Sequence, residues 1–417
     1  MFEVGRDLRR LFAQARERED LSWLELIGVD LLAVEARQQC TDAGRVSCAK
    51  PHPAWLRGSA LWREHARRTG SSESLRKSLE AAVDAARYAR NPDEVARAAV
   101  EKAQGLLLRF DLSGGRDVLD QAIEAVPGTH ACRPATIALI SAIHARIKSR
   151  LARFEEDTAK GADALLAAAA LLDAAIHDMD RTRAGNVDEI RMDRAALALE
   201  AGVTRRDAHL LDQAGRELLR LVENASPDYR PLTRSRALTL CGAGLSALGA
   251  LANDEPAREQ GKAMFEAAAD QFTPDHSPLD WVVIQIVRGA TPGSVSLAAL
   301  RQADTLTAGQ DLLLGAMARD MLIEGEVAAA ASVGDVPRLA DAETAARRRL
   351  AGKPSELDWA VEQIAMARIA RARAMLTGSD ASATGLALLE AAEVARDHGM
   401  PGLAARADAL LDFRLDA

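Results

Sequence analysis

Segments in which apolar residues recur every three or four positions fill most of this chain, and turn-forming residues separate them at short intervals. The clearest case begins at residue 92, where "PDEVARAAVEKAQGLLLRF" carries one apolar face, "DLSGGRD" interrupts it, and "VLDQAIEAVPG" resumes it. This spacing is typical of amphipathic helices, whereas adjacent glycines favour a turn. The stretch from 92 to 127 therefore predicts a helical hairpin.

The same pattern continues to residue 398. Further hairpins are predicted at about 133–177, 186–225, 230–273, 278–306, 309–350 and 355–398. Units of roughly 30 to 50 residues are typical of stacked helical repeats, in which one unit cannot bury its apolar face alone. We therefore predict an all-α solenoid of stacked helical hairpins over 91–398.

The two ends of the chain differ in style from the repeats. Residues 1–90 suggest helices near 2–18, 21–39, 54–68 and 73–90, and we interpret this region as an atypical N-terminal capping unit. The closing stretch, "MPGLAARADALLDFRLD", predicts a C-terminal capping helix over 399–417. Composition agrees with helices throughout, because 48% of residues are hydrophobic but only 3% are aromatic.

Two tryptophans follow the pattern Ser-x-Leu-Asp. In "SPLDW" and "SELDW", Ser277 and Ser355 each precede an aspartate by three residues, which is the spacing of a capping box at a helix start. The following "DWVVIQIV" is β-branched enough for a strand, but the proline and the cap before it favour a helix. We expect Trp281 and Trp359 to pack each new unit against the preceding one.

At these residues the chain resembles tetratricopeptide repeat (TPR) proteins, over about residues 92–398. Eight positions resemble the small, aromatic, terminating and opening positions of that family's repeat: Gly105, Ala122, Pro127, Phe265, Ala268, Pro274, Trp281 and Trp359. The resemblance implies a right-handed superhelix whose concave groove binds peptides or protein partners. It implies no catalytic chemistry.

Candidate reactive groups are weak in this sequence. Cys40, Cys48, His52 and His65 could supply zinc ligands, but their spacing fits no common zinc motif, so buried helix residues and loop polar groups are the favoured interpretation. "GAGLSALG" at 242–249 lacks the strand and the Lys-Ser/Thr ending of a phosphate-binding loop, and small residues there favour tight helix packing. We predict no catalytic residue, no metal and no cofactor.

Charge and length restrict the partners. A net charge of -8 and a pI near 5.6 argue against nucleic-acid binding. The start of the sequence lacks the apolar run of a signal peptide, and no stretch suggests an integral membrane segment, so a cytoplasmic location is expected. The leading hypothesis is a non-catalytic scaffold or adaptor that binds a protein or peptide segment in the solenoid groove.

Two other functions remain open at this point. One is a regulator that senses a peptide or a small molecule. A chaperone or targeting adaptor for secreted or surface-appendage subunits is a special form of the leading hypothesis. An enzyme built on helices ranks last, because the linear signatures of catalytic sites are not found in the sequence.

Overall fold

A computed structural model describes residues 21–126, 128, 132–155, 157–291, 296–378 and 385–412. In this part of the chain the secondary structure is helical, with no strand. The α-helices are α1 Val29–Ala43, α2 Pro51–Thr69, α3 Ser72–Arg87, α4 Pro92–Ser113, α5 Arg116–Ala125, α6 Pro134–Leu151, α7 Thr158–Thr182, α8 Val187–Arg205, α9 Ala208–Asn224, α10 Pro231–Ala252, α11 Glu255–Ala269, α12 Pro278–Gly289, α13 Leu297–Thr307, α14 Leu313–Ser332, α15 Val336–Ala351, α16 Glu356–Thr377, α17 Gly385–Asp397 and α18 Pro401–Asp412. Short 3₁₀ helices span Ser22–Leu26 and Ala152–Phe154.

The helices from α2 to α17 pack as consecutive hairpins in two layers. The even-numbered helices α2 to α16 form an inner layer, in which neighbours contact one another along most of the series. Each odd-numbered helix from α3 to α15 lies in an outer layer and packs against the inner helices before and after it, and α17 packs against α16 and α18. The protein is therefore an all-α solenoid of stacked hairpins, as the sequence pattern predicts.

In several hairpins the same short sequence pattern ends the first helix and begins the second helix. Arg206, Asn253 and Gly334 each adopt a positive φ between 53° and 69°, the conformation that closes a helix end. The next residue in each case is an aspartate whose side chain accepts a hydrogen bond from the following helix. A left-handed residue followed by an aspartate cap thus makes the tight turns at α8–α9, α10–α11 and α14–α15.

Apolar packing is divided among neighbouring hairpins and does not form one central core. One buried cluster joins α6, α7 and α8, for example, and another joins α14 with α16, α17 and α18. Small residues allow the closest approaches: a Cβ added at Gly242 in α10 would lie 2.6 Å from the Phe265 ring of α11. The predicted tight packing of "GAGLSALG" is therefore present.

The solenoid winds tightly enough for distant units to touch. Inner helix α2 contacts α12, and α4 contacts α14, so hairpins five positions apart in the series meet. The 3₁₀ turn Ser22–Leu26 likewise contacts α10. Glu25 in this turn accepts hydrogen bonds from the Thr233 backbone N–H at 2.8 Å and from Arg230 Nε at 2.7 Å.

The N-terminal helices differ from the prediction in one place. The helix expected at 21–39 is instead a 3₁₀ turn followed by α1, because Gly28 is extended between them with φ −70° and ψ 165°. The helices expected at 54–68 and 73–90 match α2 and α3, whereas 2–18 lies outside the described residues. Because α3 packs on α4 much as later units pack together, the domain boundary at 90 stays a prediction.

The two Ser-x-Leu-Asp stretches begin α12 and α16, but only one has the expected cap. Ser355 accepts a hydrogen bond from the Asp358 backbone N–H at 3.2 Å. The expectation for Ser277 is wrong, since its Oγ donates to Asp280 Oδ2 at 2.6 Å and caps no amide. Asp280 needs that donor because its carboxylate is buried and also binds an arginine of the preceding unit. The β-branched stretch after it is helical, as favoured.

By length and composition alone, one described helix, α10, could cross a membrane. Buried helices of other proteins pass the same test, and α10 packs in the solenoid against α9, α11 and α12.

Candidate functional site

Ion pairs connect the inner helices of neighbouring units. Arg63 binds Glu101, Arg150 binds Asp111, Arg146 binds Glu189, Arg236 binds Asp280, and Arg319 binds Asp358, with nitrogen–oxygen distances of 2.7–2.9 Å. The two members of these pairs are 38 to 44 residues apart in sequence, which is about one unit. We call this set of five pairs the inner ladder. It runs along the inner layer of helices.

The Arg236–Asp280 pair between α10 and α12 shows the strongest geometry. Arg236 Nε and Nη2 each donate to a different Asp280 oxygen at 2.7 Å, a bidentate arrangement. Burial alone would raise the pKa of Asp280, but the Arg236 guanidinium outweighs burial and holds that pKa well below its usual range. The carboxylate therefore stays ionised inside the solenoid.

Glu189 on α8 lies among several arginines. Its Oε1 is 2.9 Å from Arg146 Nη2 and 3.6 Å from Arg67 Nη1. Burial opposes ionisation, yet Arg146 and then Arg67 and Arg63 lower the pKa of Glu189 far below the ordinary glutamate value. Arg146 Nε also lies 2.6 Å from Asp193 Oδ2, at an angle that makes no hydrogen bond. Asp193 Oδ2 thus keeps its capacity to accept one.

Four inner helices enclose a cavity of about 220 Å³ beside the inner ladder. Its charged and polar lining comes from Arg67, Glu189, Asp193, Ser235, Arg236, Thr239 and Asp280, and its apolar lining from Met192, Ala196, Leu240, Val283, Ile284 and Val287. Helices α8, α10 and α12 belong to successive units, whereas α2 reaches the site from the first hairpin. We call this cavity the inner cleft. It exists because hairpins five positions apart meet.

Arg67 is the least saturated charge of the inner cleft. Its Nη1 lies 3.6 Å from Glu189 and 3.8 Å from Glu64, both beyond hydrogen-bond distance, and its side chain is 27% exposed. Within the part of the chain that the structure describes, Arg67 donates no hydrogen bond to another side chain or to the backbone. A guanidinium with unused donors beside an apolar wall can bind a carboxylate or a phosphate.

The positions suggested by the TPR resemblance are structural contacts distributed along the array. Gly105 lies against Leu79 of α3, and Ala122, Phe265 and Ala268 are fully buried. Pro274 lies in the turn between α11 and α12, whereas Pro127 is outside the described residues. Trp281 is buried with α12, α13 and α14, and Trp359 packs on a cluster that includes Leu313 and Ala316 of the preceding unit. None of the seven positions that the structure describes lines the inner cleft.

The candidate zinc ligands do not meet at one point. His52 Nδ1 is 2.9 Å from the Ala85 carbonyl oxygen, and the His65 ring lies edge-on to Trp62. Cys40 packs closely against Gly58 between α1 and α2, and burial raises the pKa of its thiol. Among the described residues, no three histidine, cysteine or acidic side chains are grouped to hold a metal ion.

Sequence reasoning missed the inner cleft and the ladder, although the ladder leaves a signal. An arginine on one first helix and a carboxylate on a neighbouring first helix recur at a separation of one unit, for example Arg63 with Glu101 and Arg236 with Asp280. A comparison of charges between successive units would have revealed it. The sequence gives no such signal for Arg67, because α2 reaches the inner cleft only through the winding of the solenoid.

Comparisons with known proteins add little to this site. No protein-family model matches the chain, and no curated protein matches it. Among solved structures, it is similar to a circular tandem repeat protein with novel repeat topology and enhanced subunit contact surfaces. The identity is 15% over 94% of this chain and 97% of that chain, and the TM-score is 0.22, which is too low to carry an argument.

Proposed function

We propose that this protein is a non-catalytic, TPR-like interaction scaffold or adaptor that binds a protein or peptide segment in the cytoplasm. The observation that carries the proposal is the architecture, a two-layer series of hairpins from α2 to α17. Stacked repeats present extended surfaces on which a partner can contact several units at once. The inner ladder supports a structural use of the charged residues, because its arginines and carboxylates bind one another.

The last hairpin offers a specific place to test partner binding. Met375 and Leu376 at the end of α16 and Leu386 and Leu389 at the start of α17 are exposed, with Met375 and Leu386 more than 70% exposed. Large apolar side chains grouped on a surface favour association with another protein.

Affinity capture with the full-length protein from its native cells, followed by quantitative mass spectrometry, would identify a partner. The purified partner should then form a complex of fixed stoichiometry in analytical ultracentrifugation. We expect Leu386→Ser combined with Leu389→Ser to weaken this complex by about tenfold or more, since burying two such side chains is worth more than ~1.4 kcal/mol. The matched control is Leu31→Ser with Val34→Ser, two exposed residues of α1. A purified candidate that fails to bind directly would contradict the proposal.

A further inference from the structure

The inner cleft combines three properties that together select one kind of small ligand. Its lining carries charges of both signs, another part of the lining is aliphatic, and its volume is limited to about 220 Å³. We propose that the inner cleft binds a small zwitterion with a branched aliphatic side chain, of the class of leucine, isoleucine and valine. This inference goes beyond the interaction scaffold, because it assigns a small-molecule site to the concave face.

Charge balance argues for a ligand that carries both signs. The lining includes the carboxylates of Glu189, Asp193 and Asp280 and the guanidiniums of Arg67 and Arg236, while Arg146 contacts Glu189 and Asp193 from outside. Glu64 approaches Arg67 and Arg236 from outside and pairs with Arg68, so that four carboxylates face four arginines. A ligand with a net charge would leave one buried charge uncompensated, which is costly, whereas a zwitterion preserves the balance.

The hydrogen-bonding groups of the inner cleft suit the two ends of such a ligand. Arg67 has unused donors, which match a carboxylate. The Asp193 carboxylate lines the inner cleft and supplies an acceptor for an ammonium group, and its buried Oδ2 accepts no hydrogen bond although Arg146 Nε lies 2.6 Å away. Ser235 Oγ donates to the Ala268 carbonyl at 2.9 Å and Thr239 Oγ1 to the Ser235 carbonyl at 2.8 Å. These hydroxyls therefore have only acceptor capacity left, and an ammonium group supplies only donors.

The rest of the inner cleft suits an aliphatic side chain. Val283, Ile284 and Val287 on α12 and Leu240 on α10 line it with branched apolar groups. Its volume of about 220 Å³ would hold roughly seven waters at ~30 Å³ each, which is room for a molecule of leucine's size. An apolar side chain that displaces water from such a wall contributes to affinity without needing a hydrogen bond.

Isothermal titration calorimetry with the full-length protein and L-leucine, L-isoleucine and L-valine tests the proposal. We expect saturable binding of at least one of them with one site per chain. 4-Methylpentanoate lacks the ammonium group and 3-methylbutylamine lacks the carboxylate. Each should bind about tenfold more weakly or worse, because loss of one charge-assisted hydrogen bond changes the dissociation constant by about that factor. Lack of binding by all three amino acids at millimolar concentration, or equal affinity for the single-charge analogues, would overturn it.

Two variants locate the binding in the inner cleft. Arg67→Gln removes a guanidinium that makes no hydrogen bond in the free protein, so the fold should persist while amino-acid affinity falls about tenfold or more. Ala196→Trp fills the space and should abolish the heat of binding, whereas Arg301→Gln on the exposed surface should leave it unchanged. Circular dichroism verifies folding, and a folded Ala196→Trp protein with wild-type affinity would exclude the inner cleft as the site.

Discussion

Single charged residues in the solenoid act as connectors between units. Arg236 joins α10 to α12 through two hydrogen bonds with Asp280, and its Nη2 also approaches Glu64 of α2 at 3.9 Å. Because both members of such a pair are mostly buried, removal of one leaves the other without compensation, which typically costs about 3–5 kcal/mol. The main effect of each ladder pair is therefore to fix the geometry with which two units pack, and its net contribution to stability is smaller.

The ionised carboxylates of the ladder predict acid sensitivity. Glu189 has a pKa below its unfolded value of about 4.3, so its contribution is fully present above that pH and is lost as pH falls through the folded pKa. We expect Glu189→Gln to lower the urea midpoint at pH 7. The variant should also lose less unfolding free energy than the unsubstituted protein when the pH falls from roughly 5 to roughly 3. Urea unfolding at several pH values, followed by circular dichroism, measures both effects.

An exposed glutamate provides the comparison for this test. Glu124→Gln on α5 should leave both the midpoint at pH 7 and the slope of stability against pH close to those of the unsubstituted protein. If Glu189→Gln loses as much stability on acidification as the unsubstituted protein does, Glu189 is not a source of the acid sensitivity.

At the scale of single helices, close backbone approach sets how hairpins fold together. A Cβ at Gly242 would lie 2.6 Å from the Phe265 ring and 3.0 Å from the Gly261 carbonyl oxygen. Gly242→Ala should therefore destabilise the protein by about 1–3 kcal/mol through overpacking between α10 and α11. Gly215 in α9 has no atom within 4 Å of such a Cβ, so Gly215→Ala should stabilise by up to ~1 kcal/mol. Thermal unfolding of both variants measures the contrast.

The opposite signs of these two substitutions make the prediction specific. Helix propensity alone would stabilise both variants, because alanine is a better helix former than glycine in each case. A Gly242→Ala protein as stable as Gly215→Ala would show that α10 and α11 can separate by a few tenths of an ångström at no cost.

Local features explain how far sequence reasoning reached. The hairpin starts near 230, 278 and 355 are close to the starts of α10, α12 and α16, because prolines and caps mark helix ends within a few residues. Ser277 shows the limit of that reasoning, since its partner Asp280 is recruited by Arg236, 44 residues earlier. A capping motif predicts where a helix begins but not what a neighbouring unit demands of the cap.

The winding of the whole molecule could not be predicted from repeat patterns. Glu25 meets Thr233 across 208 residues, and α2 meets α12, because small rotations between successive hairpins add up over five units. The inner cleft depends on this sum, since Arg67 and the residues of α12 line it from distant parts of the chain. In the sequence, the charged residues that line the inner cleft are therefore far apart and show no relation to one another.

Contacts between distant units also predict how the molecule opens. Glu25 is 7% exposed and binds the Thr233 backbone N–H and Arg230, so Glu25→Ala removes a connection between the N-terminal 3₁₀ turn and the start of α10. We expect hydrogen exchange to accelerate together in residues 22–26, at the start of α10 and at the start of α12. His276, in the turn just before α12, has its Nε2 2.8 Å from the Glu25 carbonyl oxygen. Exchange in α6 and α7, which are remote from this contact, should change little, and mass spectrometry resolves these segments.

The simultaneous loosening of the N-terminal 3₁₀ turn and the start of α10 distinguishes a wound solenoid from a simple linear array. In a linear array each unit depends only on its neighbours, so loss of Glu25 would be felt near the N-terminus alone. In the wound array the N-terminal 3₁₀ turn and the fifth hairpin share a contact, and its loss should loosen both while α8 and α9 between them stay protected. Faster exchange confined to residues 22–43 would therefore contradict the coupling and, with it, the idea that closure across units shapes the inner cleft.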